Sequence, residues 1–264
     1  ARDGAEGEDD MAESEKGTVT IIGAGIAGLS AGCYLQMNGY KTNIFEMHTL
    51  PGGVCTSWTR KGYTIDGCIH WLVGSGPKNS MYRVWQELGV IDGCTFYDHD
   101  EYTRVEGRDG QTFILYTDPD RLEEHMKSLA PEDSAAIDDF ANALRKLRGF
   151  DMPVGKPPEM ESRLDKVRNG LRFLRYLGVL GKWQKVMVGD YARRFTNPFL
   201  REAFMAFTEE AAAFPMFGLL MPMVWVNDGV AGYPLGGSLK LARAIEKRHL
   251  EMGGQTSDGA PAET

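Results

Sequence analysis

Three glycines and one carboxylate mark the first place where this chain could do chemistry. Gly23-Ala24-Gly25-Ile26-Ala27-Gly28 has the spacing G-x-G-x-x-G, and Glu46 follows 18 residues after Gly28. In that pattern the first glycine permits a tight turn, the second lets main chain approach a pyrophosphate, and the third lets a helix pack on a strand. A helix beginning there offers free N–H groups and partial positive charge to phosphate oxygens. Glu46 is spaced to accept hydrogen bonds from ribose hydroxyls, and a glutamate there argues against a 2′-phosphate and so against NADP. An ordinary strand-turn-helix glycine loop is the plainer reading of the glycines alone. A second glycine pair, Gly52-Gly53, lies just beyond.

These residues need a strand, a helix and a second strand to position them. Residues 19–22 are a short β-branched run feeding into the glycines, residues 26–37 read as a helix ending at Asn38-Gly39, and residues 40–45 read as the second strand. Together they form a compact β-α-β unit. Further on, residues 63–66 alternate as a strand. Ser80 is placed to cap a helix through Leu88, with Met81, Val84, Trp85 and Leu88 on one face. Residues 102–105 and 112–116 flank Arg108-Asp109-Gly110 as a hairpin, and helices start at Asp118-Pro119 and Pro131-Glu132. Residues 152–160, with three prolines, read as an exposed loop. Helical segments follow at 162–188 and 198–208. A last one starts at Gly236-Gly237-Ser238 and runs to Met252, with Leu239, Ala242, Ile245 and Leu250 as its buried stripe.

Composition narrows the function classes. The chain has 264 residues with 42% hydrophobic and 25% charged side chains, an ordinary globular balance that excludes fibres and wholesale disorder. Its 32 glycines follow no triplet period, which points to backbone-mediated ligand contact rather than collagen. The net charge of −8 belongs mainly to residues 1–17, where seven acids face only Arg2 and Lys16. No clustered basic recognition module points to nucleic acid. The four cysteines show no Cys-x-x-Cys pair and no metal-ligand spacing, so no metal is expected and a reducing, cytoplasmic compartment is. The apolar run at residues 211–226 is broken by Pro215 and Pro222, too short to span a bilayer.

The run from Val19 to Cys55 resembles the glutathione-reductase-type FAD fold of the amine-oxidase superfamily. Within it, Gly62-Tyr-Thr-Ile-Asp66-Gly67-Cys-Ile-His70-Trp71-Leu72 and Gly232-Tyr-Pro-Leu-Gly236-Gly237-Ser238 resemble the phytoene desaturase branch, which includes carotenoid isomerases and retinol saturases. The likeness covers about residues 18–254. It implies FAD as cofactor, with Gly23, Ala24, Gly25, Ile26, Ala27 and Gly28 cradling the pyrophosphate and Glu46 holding the adenosine ribose. It also implies that Gly52, Gly53, Val54 and Cys55 pass close to the cofactor. Where that family often writes Gly-Gly-Arg, this chain has Val54, so a charge contact is lost while a main-chain contact survives. His70 and Trp71 fall where the family's chain runs near the flavin ring, which makes them active-site candidates without an assigned role. A hydrogen-bonded core histidine is the other reading of His70. Cys33 reads as packing; Cys55 and Cys68 lie toward the implied flavin side, which permits a redox role, although no paired spacing supports one.

The implied architecture is α/β: a Rossmann FAD-binding domain with an incomplete parallel sheet, and a largely helical α+β substrate-domain insertion. Expected boundaries are a disordered acidic tail at 1–17, the β-α-β unit and second glycine motif at 18–75, and the insertion at 76–230. A return helix at 231–254 and a disordered tail at 255–264 complete the chain. Residues 255–264 show no β-branched alternation where a third parallel strand would begin, so the sequence reads as cut or diverted there, leaving weak FAD binding and an open sheet edge. The expected activity is that of an FAD-dependent oxidoreductase exchanging hydride between flavin N5 and an allylic carbon of a long polyene or isoprenoid lipid. Alternatives are an amine-oxidase-like flavoenzyme and a prenyl-lipid carrier like the Rab GDP-dissociation inhibitors. Residues 161–194 carry nine basic against three acidic residues, interleaved with Leu164, Val167, Leu171, Leu174, Leu177 and Val188. That pattern suits a helix lying on an anionic membrane surface, and equally an amphipathic helix with a solvated basic face. Residues 214–225, rich in Met and aromatic side chains, suit a long apolar ligand or a core.

Overall fold

A computed structural model of the chain describes residues 16–152, 154, 158–206 and 213–260. The expected acidic tail therefore lies outside the described residues except for its last two positions, as do residues 207–208 of the expected 198–208 helix. The chain divides into two compact units: residues up to Cys68 with Leu88–Val90 and the stretch from Ser238 onward, and Ile69–Glu87 with Ile91–Gly237. The divisions fall at 68/69 and 237/238, rather than at the expected 75/76 and 230/231.

The first unit is an α/β layer. Strand β1 (Thr18–Ile22) runs into helix α1 (Ile26–Met37), and β2 (Lys41–Glu46) returns parallel to β1, with Thr18 opposite Lys41 and Ile22 opposite Phe45. An antiparallel hairpin follows, β3 (Ser57–Arg60) against β4 (Tyr63–Asp66), of which only β4 was legible as a strand. Helix α10 (Gly237–Glu251) leads into β10 (Gln255–Asp258), which pairs parallel with β2 on the side away from β1. This third parallel strand overturns the expected disordered tail at 255–260; residues 261–264 lie outside the described ones. The strand is specified by its main-chain ladder to β2, not by a side-chain pattern: Gln255, Ser257 and Asp258 are exposed and only Thr256 is half-buried. Beyond it, Gly259 N–H donates to His48 O and Ala260 N–H to Glu46 O. The buried face of α10 is Leu241, Ala242, Ile245 and His249, with Cys33 Sγ 3.6 Å from Ile245 O and both His249 and Ile44 against Gly32, whereas Leu250, expected in that stripe, is exposed. His249 is buried with its Nε2 2.7 Å from the Thr42 hydroxyl, while its Nδ1 has no hydrogen-bond partner among the described residues.

The second unit begins with β5 (Leu72–Val73), the short helices α2 (Tyr82–Glu87) and α3 (Val90–Gly93), and β6 (Phe96–Tyr97). Ser80 does not cap a helix; its hydroxyl donates to Asp151 Oδ1 at 3.1 Å and to Met152 O at 2.6 Å. The expected hairpin is present as β7 (Glu101–Glu106) and β8 (Thr112–Tyr116). Helices α4 (Pro119–Leu129), α5 (Ser134–Leu147), α6 (Arg163–Trp183), α7 (Val188–Ala192), α8 (Pro198–Met205) and α9 (Met216–Asn227) build the core, and β9 (Ala231–Pro234) joins β5 and β6 in one small antiparallel sheet. Local chemistry sets several starts. Asp118 Oδ1 accepts from Asp120 and Arg121 N–H, with Pro119 at the first helical position, and Ser162 forms a reciprocal capping box with Asp165. The expected helix at 162–188 ends at Trp183, and α7 is separate.

The core of this unit is aromatic: Phe140, Trp183, Tyr191 and Phe204 are buried with ring centroids 5.4 to 6.3 Å apart in tilted and edge-on pairs. The Met-rich α9 mostly belongs to this core, with Met216, Leu220, Met221 and Met223 buried. Among the described residues no helix is long and apolar enough to cross a membrane.

Candidate functional site

In the first unit the two glycine motifs are laced together by main chain. Gly23 N–H donates to Phe45 O at 2.7 Å, Gly52 N–H donates to Ala24 O at 2.8 Å, and Gly25 bridges Gly52 in parallel fashion. Gly28 has no room for a side chain, since an added Cβ would sit 2.0 Å from Gly23 O. Gly52 has φ of +112° and an added Cβ would sit 2.2 Å from Cys55 O, so the turn admits no other residue without rearrangement. At Gly23 and Gly25 the situation is the reverse: an added Cβ would meet nothing within 4 Å among the described residues. The chain thus bares main chain onto open space beside the start of α1, whose first turn holds no acidic residue and whose N-cap, Gly25, supplies no side-chain acceptor. Its leading N–H groups lack helical partners.

Glu46, at the end of β2, reaches this loop. Its Oε2 accepts the Ala24 N–H at 2.7 Å and its Oε1 accepts the His48 N–H at 2.8 Å. These main-chain donors, His48 foremost, hold its carboxyl below the usual glutamate range. A carboxylate offers about four lone-pair sites, so two remain for ribose hydroxyls. Ile26 and Ala27 open α1, while the Val54 side chain is 87% exposed. Thr56 Oγ1 is buried without a hydrogen-bond partner among the described residues.

Two features of this unit escaped sequence reasoning. Asp66, at the end of β4, accepts hydrogen bonds from Ser238 N (2.5 Å) and Ser238 Oγ (2.6 Å), fastening the hairpin to the start of α10. Both residues sit in the two motifs quoted for the resemblance, but a 172-residue separation hides the pairing. The Sγ atoms of Cys55 and Cys68, which lack any recognisable spacing motif, lie 3.1 Å apart. Burial, followed by its hydrogen bond to Cys68, pushes the Cys55 thiol up to about 12. Cys33 is the packing residue expected, buried with its Sγ 3.6 Å from Ile245 O and its thiol raised by burial to about 11.

In the second unit, His70 and Trp71 line a cavity of about 650 Å³ together with His99, Glu101, Tyr102 and Tyr233. His70 is exposed and so is not a core histidine. The Trp71 ring lies 6.2 Å from that of Trp225, whose indole N–H donates to Phe150 O at 3.0 Å. Burial raises the Tyr102 phenol, partly offset by a hydrogen bond with Trp71. His99, Glu101 and Tyr102 were missed, although the crowding of Tyr97, His99, Glu101 and Tyr102 into six residues was a usable signal. Among the described residues no group of three His, Cys, Asp or Glu side chains could hold a metal.

Residues 21–88 match the NAD(P)-binding Rossmann-like domain family. Over 252 residues, 91% of this chain, it is 24% identical to prolycopene isomerase 1 of an Oncidium hybrid cultivar, covering 42% of that protein. The chain is similar in sequence to carotenoid isomerases and retinol reductases. A second relative, the inactive all-trans-retinol 13,14-reductase of Danio rerio, is 29% identical over 132 residues, 48% of this chain and 22% of that protein. The chain therefore spans less than half the length of the curated proteins it matches. A crystal structure of a Pyrococcus furiosus protein superposes with a TM-score of 0.52 at 15% identity, over 92% of this chain and 51% of that one. That likeness establishes the α/β fold.

Proposed function

We propose that this chain forms the nucleotide-binding portion, and part of the substrate portion, of an FAD-dependent oxidoreductase of the desaturase, saturase or isomerase type acting on a long polyene or isoprenoid lipid. The observation that carries this reading is the glycine loop itself: Gly23 and Gly25 bare main chain onto open space while Glu46 stands at the same loop with acceptor capacity to spare. A pyrophosphate fits against that main chain and the α1 N-terminus, and the adenosine ribose fits at Glu46. Gly52 holds the loop from the other side through its N–H bond to Ala24 O. When bound, the flavin supplies hydride exchange with an allylic carbon, and the protein supplies orientation and exclusion of water.

The names of the relatives, a prolycopene isomerase and, in Homo sapiens, an all-trans-retinol 13,14-reductase, support a polyene substrate, and the cavity bounded by Trp71, Tyr102 and Tyr233 offers aromatic walls for one. His70 and Trp71 are the residues placed to contact it. Anaerobic mixing of the FAD-loaded protein with a polyene or with an alkyl amine tests the reading through flavin absorbance and the polyene recovered. With the polyene, bleaching of oxidised flavin with a desaturated product, return of absorbance of reduced flavin with a saturated product, or a changed polyene isomer is expected; reduction by amines alone with no change in the polyene would overturn it in favour of an amine oxidase.

Helix α6 supports a peripheral lipid contact. Leu164, Val167, Leu171, Leu174 and Leu177 are all more than half exposed, and Arg163, Lys166, Arg168, Arg172 and Arg175 flank them. An apolar stripe between basic residues suits an anionic bilayer surface. Co-sedimentation with phosphatidylserine vesicles, weakened by the Leu171→Ser, Leu174→Ser pair, is expected; binding that is unchanged by the pair would exclude α6.

A further inference from the structure

The β3–β4 hairpin brings together two cysteines that the sequence separates. In its register Ser57 opposes Asp66 and Arg60 opposes Tyr63, so extending the pairing by two residues places Cys55 opposite Cys68 at the open end of the hairpin. Their sulfurs are 3.1 Å apart, near enough that one thiol donates to the other. Both side chains are half-buried, within reach of a small molecule, whereas Cys33 and Cys94 are buried.

We propose that Cys55 and Cys68 are a modification site that closes to a reversible disulfide by exchange with a low-molecular-weight disulfide such as oxidised glutathione. The Cys68 thiolate attacks one sulfur of the external disulfide, forming a mixed disulfide and expelling one thiolate. Cys55 then loses its proton to solvent and attacks the Cys68 sulfur, expelling the second thiolate. Two protein thiols are oxidised to one disulfide, and one external disulfide is reduced to two thiols. Burial raises the Cys55 thiol, which makes it the second nucleophile in the sequence, and because each attack needs a thiolate, closure accelerates as pH rises.

The bond would fasten two halves of the nucleotide cradle. On one side, Cys55 N–H donates to Gly52 O, and Gly52 N–H donates to Ala24 O in the first glycine loop. On the other, Cys68 N–H donates to Asp66 Oδ1, the carboxylate that holds Ser238 at the start of α10. Closure therefore ties the second glycine turn to the anchor of α10 and reduces the freedom of the hairpin between them.

The test is thiol mapping of the full 264-residue chain equilibrated with oxidised glutathione at pH 8, which needs no bound cofactor. Loss of two of the four thiols is expected, with tryptic peptide 42–60 disulfide-linked to peptide 62–78 and full recovery in dithiothreitol. Cys33→Ser retains this link, and Cys68→Ser abolishes it. Glutathione remaining on either cysteine without the linked peptides, or a link made to Cys33 or Cys94, would overturn the proposal. Amide hydrogen exchange of residues 57–66 in the wild-type chain is expected to slow roughly tenfold or more on oxidation. Unchanged exchange would overturn the fastening of the cradle.

Discussion

In the first unit the proposed ligand site rests on side chains that are missing, and in the second on side chains that are large. Gly23 and Gly25 leave space for a ligand, and Gly28 and Gly52 let main chain pack on main chain; the loop they form is held by hydrogen bonds of 2.7 to 2.8 Å. The second unit instead surrounds its cavity with rings and is held by Phe140, Trp183, Tyr191 and Phe204. The difference teaches where tolerance lies. A glycine loop fails at single positions, because its geometry is fixed by backbone contact. A packed core loses stability in proportion to the volume removed.

Gly28→Val breaks the first unit most severely. With a Cβ 2.0 Å from Gly23 O there is no compatible rotamer, and a loss of about 3 kcal/mol or more is expected, read as a collapsed denaturation midpoint or insoluble protein. Wild-type stability in this variant would mean that α1 does not pack on the glycine loop as described. Phe204→Ala removes a fully buried ring that touches four others, and urea unfolding should show a cost of about 3–5 kcal/mol. A cost below 1 kcal/mol would contradict the picture of a ring-packed core.

A smaller effect sharpens the comparison within the first unit, whose buried face also carries a titrating group. Burial lowers the affinity of His249 for a proton in the fold. As pH falls below the ordinary histidine value of 6.5, the unfolded chain takes up a proton that the folded chain resists, so stability declines toward acid. In His249→Gln that component of the slope disappears. Denaturant unfolding of both proteins at pH 8 and pH 5.5 measures it, and identical slopes would place the histidine's titration outside the folding equilibrium.

The same contrast explains how much could be read in advance. The β-α-β unit, Gly23, Gly25, Gly28, Glu46 and the hairpin of β7 and β8 were legible because each is fixed by local spacing. Cys55 with Cys68, and Asp66 with Ser238, were not, because each pair is made by pairing or packing of distant segments. Strand β10 was hidden for another reason: as an exposed edge strand it needs only main-chain partners on β2, and Gln255-Thr256-Ser257-Asp258 carries no apolar alternation. Leu250 was misassigned because apolarity alone does not decide which face of α10 turns inward; His249 occupies that face through its bond to Thr42.

Gly25→Val tests the central claim most directly, because it separates ligand space from folding. Gly25 has φ of −66° and an added Cβ meets nothing, so a side chain there is compatible with the fold yet occupies the room beside the main chain. Titration of the protein with FAD, followed by flavin fluorescence alongside a thermal melt, is expected to show saturable binding to the wild-type chain, loss of binding in Gly25→Val, and a cooperative melt with stability lowered by no more than about 1 kcal/mol, the cost of a poorer helix cap. FAD uptake by Gly25→Val equal to that of the wild type would contradict the account.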